Sequence, residues 1–142
     1  MKLRSAAKIH ADFPDDMVEE DGEIVQFGGK GIAAAVAEAL KRAGYEPSVP
    51  EHAGLHGWDF VVTVGKREFC VQLCDLDEFY YLTTYDTSAL GWFGKKNTPE
   101  YAQLLRDLAG ELPHDSRFRE VEWHFLEELD SGRPGANDPV VE

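Results

Sequence analysis

The sequence predicts an α+β fold: a two-layer sandwich with two helices covering one face of a mainly antiparallel sheet. Three observations carry the expectation. Between Trp58 and Tyr85, three strand-like runs follow one another through tight turns, and a parallel return would need a crossover of about a dozen residues, so they form an antiparallel meander. On either side of it, residues 30–43 and 99–112 repeat apolar side chains at helical spacing. The order strand, helix, meander, helix, strand then places both helices on one sheet face.

Each element has a local reason. Residues 3–13 alternate with period two, Leu3, Ser5, Ala7, Ile9, Ala11 and Phe13 against Lys2, Arg4, Lys8, His10 and Asp12, which reads as an edge strand with a charged outer face. Pro14 and an acidic run end it, and Glu23–Phe27 is a short second strand before Gly28-Gly29. Ile32, Val36, Leu40 and Ala43 form the stripe of the first helix, with Gly44 as its stop. Prolines, glycines and histidines over 46–57 indicate a loop. In the meander, Trp58, Phe60, Val62 and Val64 share a face, Gly65-Lys66 turns the chain, and Phe69, Val71 and Leu73 line the next strand. Asp75–Glu78 turns it again into Phe79–Tyr85, rich in aromatic and Thr residues. Thr98 as N-cap and Pro99 in the first turn open the second helix, with Tyr101, Leu104, Leu105, Leu108 and Leu112 as its stripe. Val121, Trp123 and Phe125 alternate with Glu120, Glu122 and His124 as a last strand. One domain over 1–129 is expected, followed by a flexible polar tail over 130–142, where Gly, Pro and Asp outnumber apolar residues.

The formal charge of −13 on 142 residues is unevenly spread. Residues 12–23 hold seven acids (Asp12, Asp15, Asp16, Glu19, Glu20, Asp21, Glu23) and no base. Such a field repels phosphate backbones and anionic lipid and attracts basic proteins, so nucleic acid and membrane are excluded as expected partners. No apolar run approaches the roughly 20 residues of a spanning helix. Lys8, His10 and Asp12 interrupt any apolar core of an N-terminal export signal. Cys70 and Cys74 lie four positions apart on one strand, about 13 Å between Cα atoms, beyond the roughly 7 Å reach of a disulfide. Two unbridged thiols, read as buried in a core strand, point to a reducing, cytoplasmic setting.

Patterns with chemical potential do not resolve into a catalytic or metal site. Gly28-Gly29-Lys30-Gly31 precedes a helix, where backbone N–H groups can hold an anion, but it matches neither the P-loop nor the dinucleotide fingerprint. It reads as a flexible lead-in to the helix. Glu51, His52, His56 and Asp59 lack the spacing of a structural zinc site. Asp59, Glu68 and Gln72 stand on adjacent strands, with Cys70 where a nuclease-like Lys would be, and strand parity puts Asp59 on a solvated face. No catalytic residue, metal ligand or cofactor is expected, and an enzyme of unrecognised class, its catalytic groups gathered from distant positions, stands as a further alternative to a binding module. Trp92 and Phe93, between Gly91 and Gly94 and followed by Lys95-Lys96, place two large apolar side chains in a turn-rich loop; either both rings fold back over the core and seal one end of the sheet, or they form a contact surface, since Trp is favoured at binding hot spots.

In size, acidity and layered α+β pattern the chain resembles two groups of small bacterial proteins. One is the immunity proteins that neutralise toxins, often through acidic and aromatic surface turned to a basic enzyme. The other is the acidic chaperones of type III secretion, similar in their helix, three-strand meander, helix order over residues 30–112. Those chaperones usually add a further strand pair and a final helix. The resemblance lies in architecture, and the immunity-type reading implies a non-catalytic module that binds a basic protein. Its expected contact residues are Asp15, Asp16, Glu19, Glu20, Trp92 and Phe93. The chaperone reading implies a dimer, and the sequence itself is compatible with a monomer or a homodimer.

Overall fold

The computed structural model describes residues 1–54, 57–88 and 97–142. In chain order the elements are β1 (Lys2–Leu3), β2 (Ala6–Ala11), β3 (Val18–Glu20), β4 (Glu23–Gln26), α1 (Lys30–Arg42), β5 (Glu51–His52), β6 (Trp58–Val64), β7 (Arg67–Asp75), β8 (Tyr80–Asp86), α2 (Pro99–Glu111), β9 (Phe118–His124) and β10 (Val140–Val141). Among the described residues the main sheet has the order β5-β6-β7-β8-β2-β9, with every pairing antiparallel. The fold is α+β, with the meander supplying the two middle strands, β7 and β8.

Period-two alternation fixes which face is buried. Phe60, Val62, Phe69, Val71, Leu73, Tyr80, Leu82, Ala7, Ile9 and Trp123 point to one side, where Ile32, Val36 and Leu40 of α1 and Leu104, Leu105 and Leu108 of α2 close the core. Gly65 takes a φ of 62° between the paired Val64 and Arg67, as the first position of a type II′ turn requires. Thr98 caps α2 by accepting from the Tyr101 N–H at 3.3 Å. The Tyr101 hydroxyl meets Thr84 Oγ1 at 2.7 Å, and Thr84 donates to the Ser5 carbonyl at 2.8 Å, so the buried polar groups between α2 and the sheet satisfy one another.

Three expectations about the course of the chain are corrected. Residues 3–13 are not an edge strand: β2 lies between β8 and β9, because α2 carries the chain across β2 before β9 is laid down beside it. Ala6, Ala7 and Ile9 are fully buried there. The 46–57 loop contains β5, paired with Trp58 and Asp59, and Pro47 bridges to Val62, so the β6 edge is covered. Residues 130–142 are not a loose tail. Ala136 pairs with Trp123, Val140–Val141 pairs with β1, and Tyr81 donates to Asp130 at 2.5 Å. That hydrogen bond, then burial, pushes the Tyr81 hydroxyl up to about 12. A Cβ at Gly135 would stand 2.7 Å from His124 Nε2 and 2.9 Å from the Trp123 carbonyl oxygen, which shows how closely the segment lies on β9.

Cys70 and Cys74 belong to the outer face, half-buried, because Phe69, Val71 and Leu73 take the inward positions of β7. Burial pushes both thiols up, with Asp59 and Glu68 adding at Cys70 and Asp75 at Cys74. Both are therefore thiols rather than thiolates near neutral pH. The expected result is an intact mass unchanged by reduction and alkylation slower than that of a cysteine in an unstructured peptide. A 2 Da shift on reduction mapping to Cys70 and Cys74 would contradict the β7 geometry.

Candidate protein interface

The acidic run folds into a feature of its own. Val18–Glu20 and Glu23–Gln26 pair as an isolated antiparallel ribbon outside the main sheet. Asp21 and Gly22 take φ values of 53° and 81°, the two positive values that a type I′ hairpin turn demands and that Asp-Gly tolerates well. Every residue from Met17 to Val25 is exposed. Four of them are large and apolar: Met17 at 39%, Val18 at 39%, Ile24 at 46% and Val25 at 47%. They stand among Glu19, Glu20, Asp21 and Glu23.

The base of the ribbon, by contrast, is pinned. Gln26 Nε2 donates to the Asp16 carbonyl at 3.0 Å, and the Phe27 N–H donates to His52 Nε2 at 3.0 Å. Trp58 Nε1 donates to the Phe27 carbonyl at 2.9 Å, and the His52 ring stacks on Phe27 at 5.8 Å. Asp16 carries the strongest tie. Its two carboxylate oxygens accept from the N–H groups of Gly29 and Gly31, each at 2.7 Å. Gly29, the N-cap of α1, has no side chain to do this. The anion-accepting turn seen in Gly28–Gly31 is thus filled from within by Asp16.

The acids of the run therefore divide. Asp16 holds the helix start, and Asp15 Oδ1 accepts from the Met17 N–H at 3.0 Å, fixing the approach to β3. Glu19 and Glu20 project from the ribbon with no hydrogen-bond or ion-pair partner among the described residues. Behind the base stands Asp75, whose carboxyl is pushed up chiefly by burial, against the lowering hydrogen bond from the Asp77 N–H and with the charges of Asp77, Asp15 and Asp16 adding. Burial and the charges of Asp75, Asp16 and Asp15 likewise raise the Tyr80 hydroxyl. Asp15, Asp16 and Asp75 thus act on one another at the base of the ribbon, where Lys30 Nζ also lies, 5.7 Å from the Trp58 ring.

Trp92 and Phe93 lie outside the described residues, as does His56. The other sequence patterns come together only in part: Glu51 on β5 stands directly opposite Asp59. Asp59 pairs with Gln72, and Glu68 with Thr63, four positions further along β6, about 13 Å away. Among the described residues no three His, Cys, Asp or Glu side chains are grouped to hold a metal ion, and no helix is long and apolar enough to cross a membrane. What sequence reasoning missed was the hairpin: Asp21-Gly22 between β-prone residues was its signal. Comparison with known protein families, with characterised proteins and with solved structures found no match to this chain.

Proposed function

We propose that this chain is a non-catalytic protein-binding module that docks its β3–β4 ribbon on a basic protein, in the manner of an immunity protein. One observation carries the reading: a pinned ribbon presents four exposed apolar side chains among acids, with Glu20 directly opposite Glu23. Like charges opposite each other destabilise an antiparallel pair, and an isolated hairpin is marginal in water. The free protein gains nothing from this pair. A cationic surface would relieve the repulsion, and the four apolar side chains would be buried in the same contact.

The test is a partner captured from the native host and then assayed with purified variants. Glu19→Lys together with Glu20→Lys leaves the fold intact, because the second change sets a basic side chain opposite Glu23 in place of an acidic one. Association should slow by about tenfold or more at low salt, and by less as salt screens the attraction. Ile24→Ser should mainly speed dissociation, since packing acts after encounter. A captured partner that binds both variants as it binds wild type, with no salt dependence, would refute the ribbon as the docking element.

A further inference from the structure

The outer rim of β9 offers a second surface, independent of the ribbon. The Trp123 N–H donates to the Ala136 carbonyl at 2.7 Å and the Ala136 N–H to the Trp123 carbonyl at 2.9 Å. In an antiparallel ladder alternate residues bond to the same side, so the N–H and C=O of Val121 also point outward. Among the described residues neither has a partner. After Ala136 the chain turns away, its Pro139 carbonyl accepting from the Arg4 N–H at 2.7 Å. At the other end a register shift opposite His10 and Ala11 ends the regular ladder. The open stretch is therefore short and centred on Val121.

A groove runs beside it. Ala109, Pro113, Phe118, Val121, Trp123 and Asn137, with Arg119 and Glu120 at one end of the strand, line about 220 Å³ between β9 and the end of α2. That is below the roughly 300–1,000 Å³ of small-molecule pockets and suits an aliphatic side chain. On the opposite side of the strand stand Glu120 and Glu122, and a residue facing Glu120 across a new pair would be favoured if basic. A second copy of this chain fits poorly. Two-fold pairing centred on Val121 sets Glu120 against Glu122 of the other copy and collides with the Ala136 pairing; centred on Glu120 it sets Glu120 against itself.

We propose that the Glu120–Glu122 stretch of β9 takes up an extended segment of another protein by strand addition, with an aliphatic side chain opposite Val121 in the groove and a basic side chain opposite Glu120. The segment continues the row of hydrogen bonds that Ala136 begins. Main-chain bonds give such a complex its affinity, and the alternating side chains give it its selectivity.

The probe is the synthetic peptide acetyl-Lys-Val-Lys-Val-Lys-amide, with its Glu-for-Lys counterpart, titrated into isotope-labelled full-length protein. The expected result is a shifted and exchange-protected Val121 amide, with the Lys peptide binding about tenfold or more tightly than the Glu peptide. Val121→Pro removes the outward N–H without touching the ladder to β2, and Ala109→Phe fills the groove without touching any backbone group. Either should abolish binding of the Lys peptide, read in Val121→Pro at the Glu122 and Trp123 amides. If Val121 is unmoved at millimolar peptide, or if Ala109→Phe binds as wild type does, the proposal fails. Concentration-dependent self-association through β9 would overturn it in favour of a second copy. Shifts confined to Glu19–Ile24 would also overturn it, while leaving the ribbon reading intact.

Discussion

Leu105→Ala should lower the free energy of unfolding by about 2–5 kcal/mol, a large loss for a single aliphatic truncation. Leu105 is fully buried on α2 and belongs to the same core cluster as Phe69, Val71 and Leu82. Its removal forfeits the transfer free energy of the lost methyl groups and leaves a cavity that a rigid sheet on one side and α1 on the other cannot collapse to fill. A domain of this size is stable by about 5–15 kcal/mol, so the variant would lose a large share of its margin. Gln103, exposed on the same helix and, among the described residues, bonded through its side chain only to Asp107 at 2.8 Å, should cost less than about 0.5 kcal/mol when changed to Ala. Urea unfolding followed by the fluorescence of the buried Trp58 and Trp123 measures both. Equal midpoints for the two variants would mean that α2 does not seal the core as described.

The residues behind that prediction were legible in the sequence. Phe69, Val71 and Leu73, and Leu104, Leu105 and Leu108, announce themselves because burial on one face imposes a period of two on a strand and 3.6 on a helix. Local signals of this kind also gave Thr98 as a cap and Gly65 as a turn. Non-local pairings leave no such mark. The alternation of residues 3–13 is the same for an edge strand as for an interior one, and only the crossover through α2 decides that β9 lies beyond β2. Val140 and Val141 stand alone among Pro, Asp and Glu, and their order comes from β1 at the far end of the chain. The ribbon shows a third limit. With Met17, Val18, Ile24 and Val25 exposed, no buried face imposes a period on it. Its Asp-Gly turn was the readable part. The acids of residues 12–23 are chemically alike in the sequence, and long-range geometry alone separates Asp16 from Glu19 and Glu20.

That separation gives the second large effect. Asp16→Ala should destabilise the protein by about 1–3 kcal/mol, whereas Glu19→Ala, from the same acidic run, should change stability by less than about 0.5 kcal/mol. The Asp16 carboxylate accepts two N–H groups at 2.7 Å at the start of α1, where the helix carries its partial positive charge. With Ala at 16, the donors of Gly29 and Gly31 lose their acceptors, and Gly29 itself, at a φ of 112°, has no side chain to replace them. Asp16→Asn should recover only part of the loss, because an amide offers one oxygen acceptor and turns an N–H donor toward the second glycine N–H. Hydrogen exchange at the Gly31 amide should accelerate in Asp16→Ala and stay unchanged in Glu19→Ala. If the two variants unfold at the same urea concentration and exchange alike at Gly31, Asp16 is only one more surface acid. If they differ as expected, charge reversal at Asp16 is a poor probe of binding, because it would loosen the base of the ribbon along with its charge. Glu19 and Glu20 are the positions at which the electrostatic contribution to docking can be read without disturbing the fold.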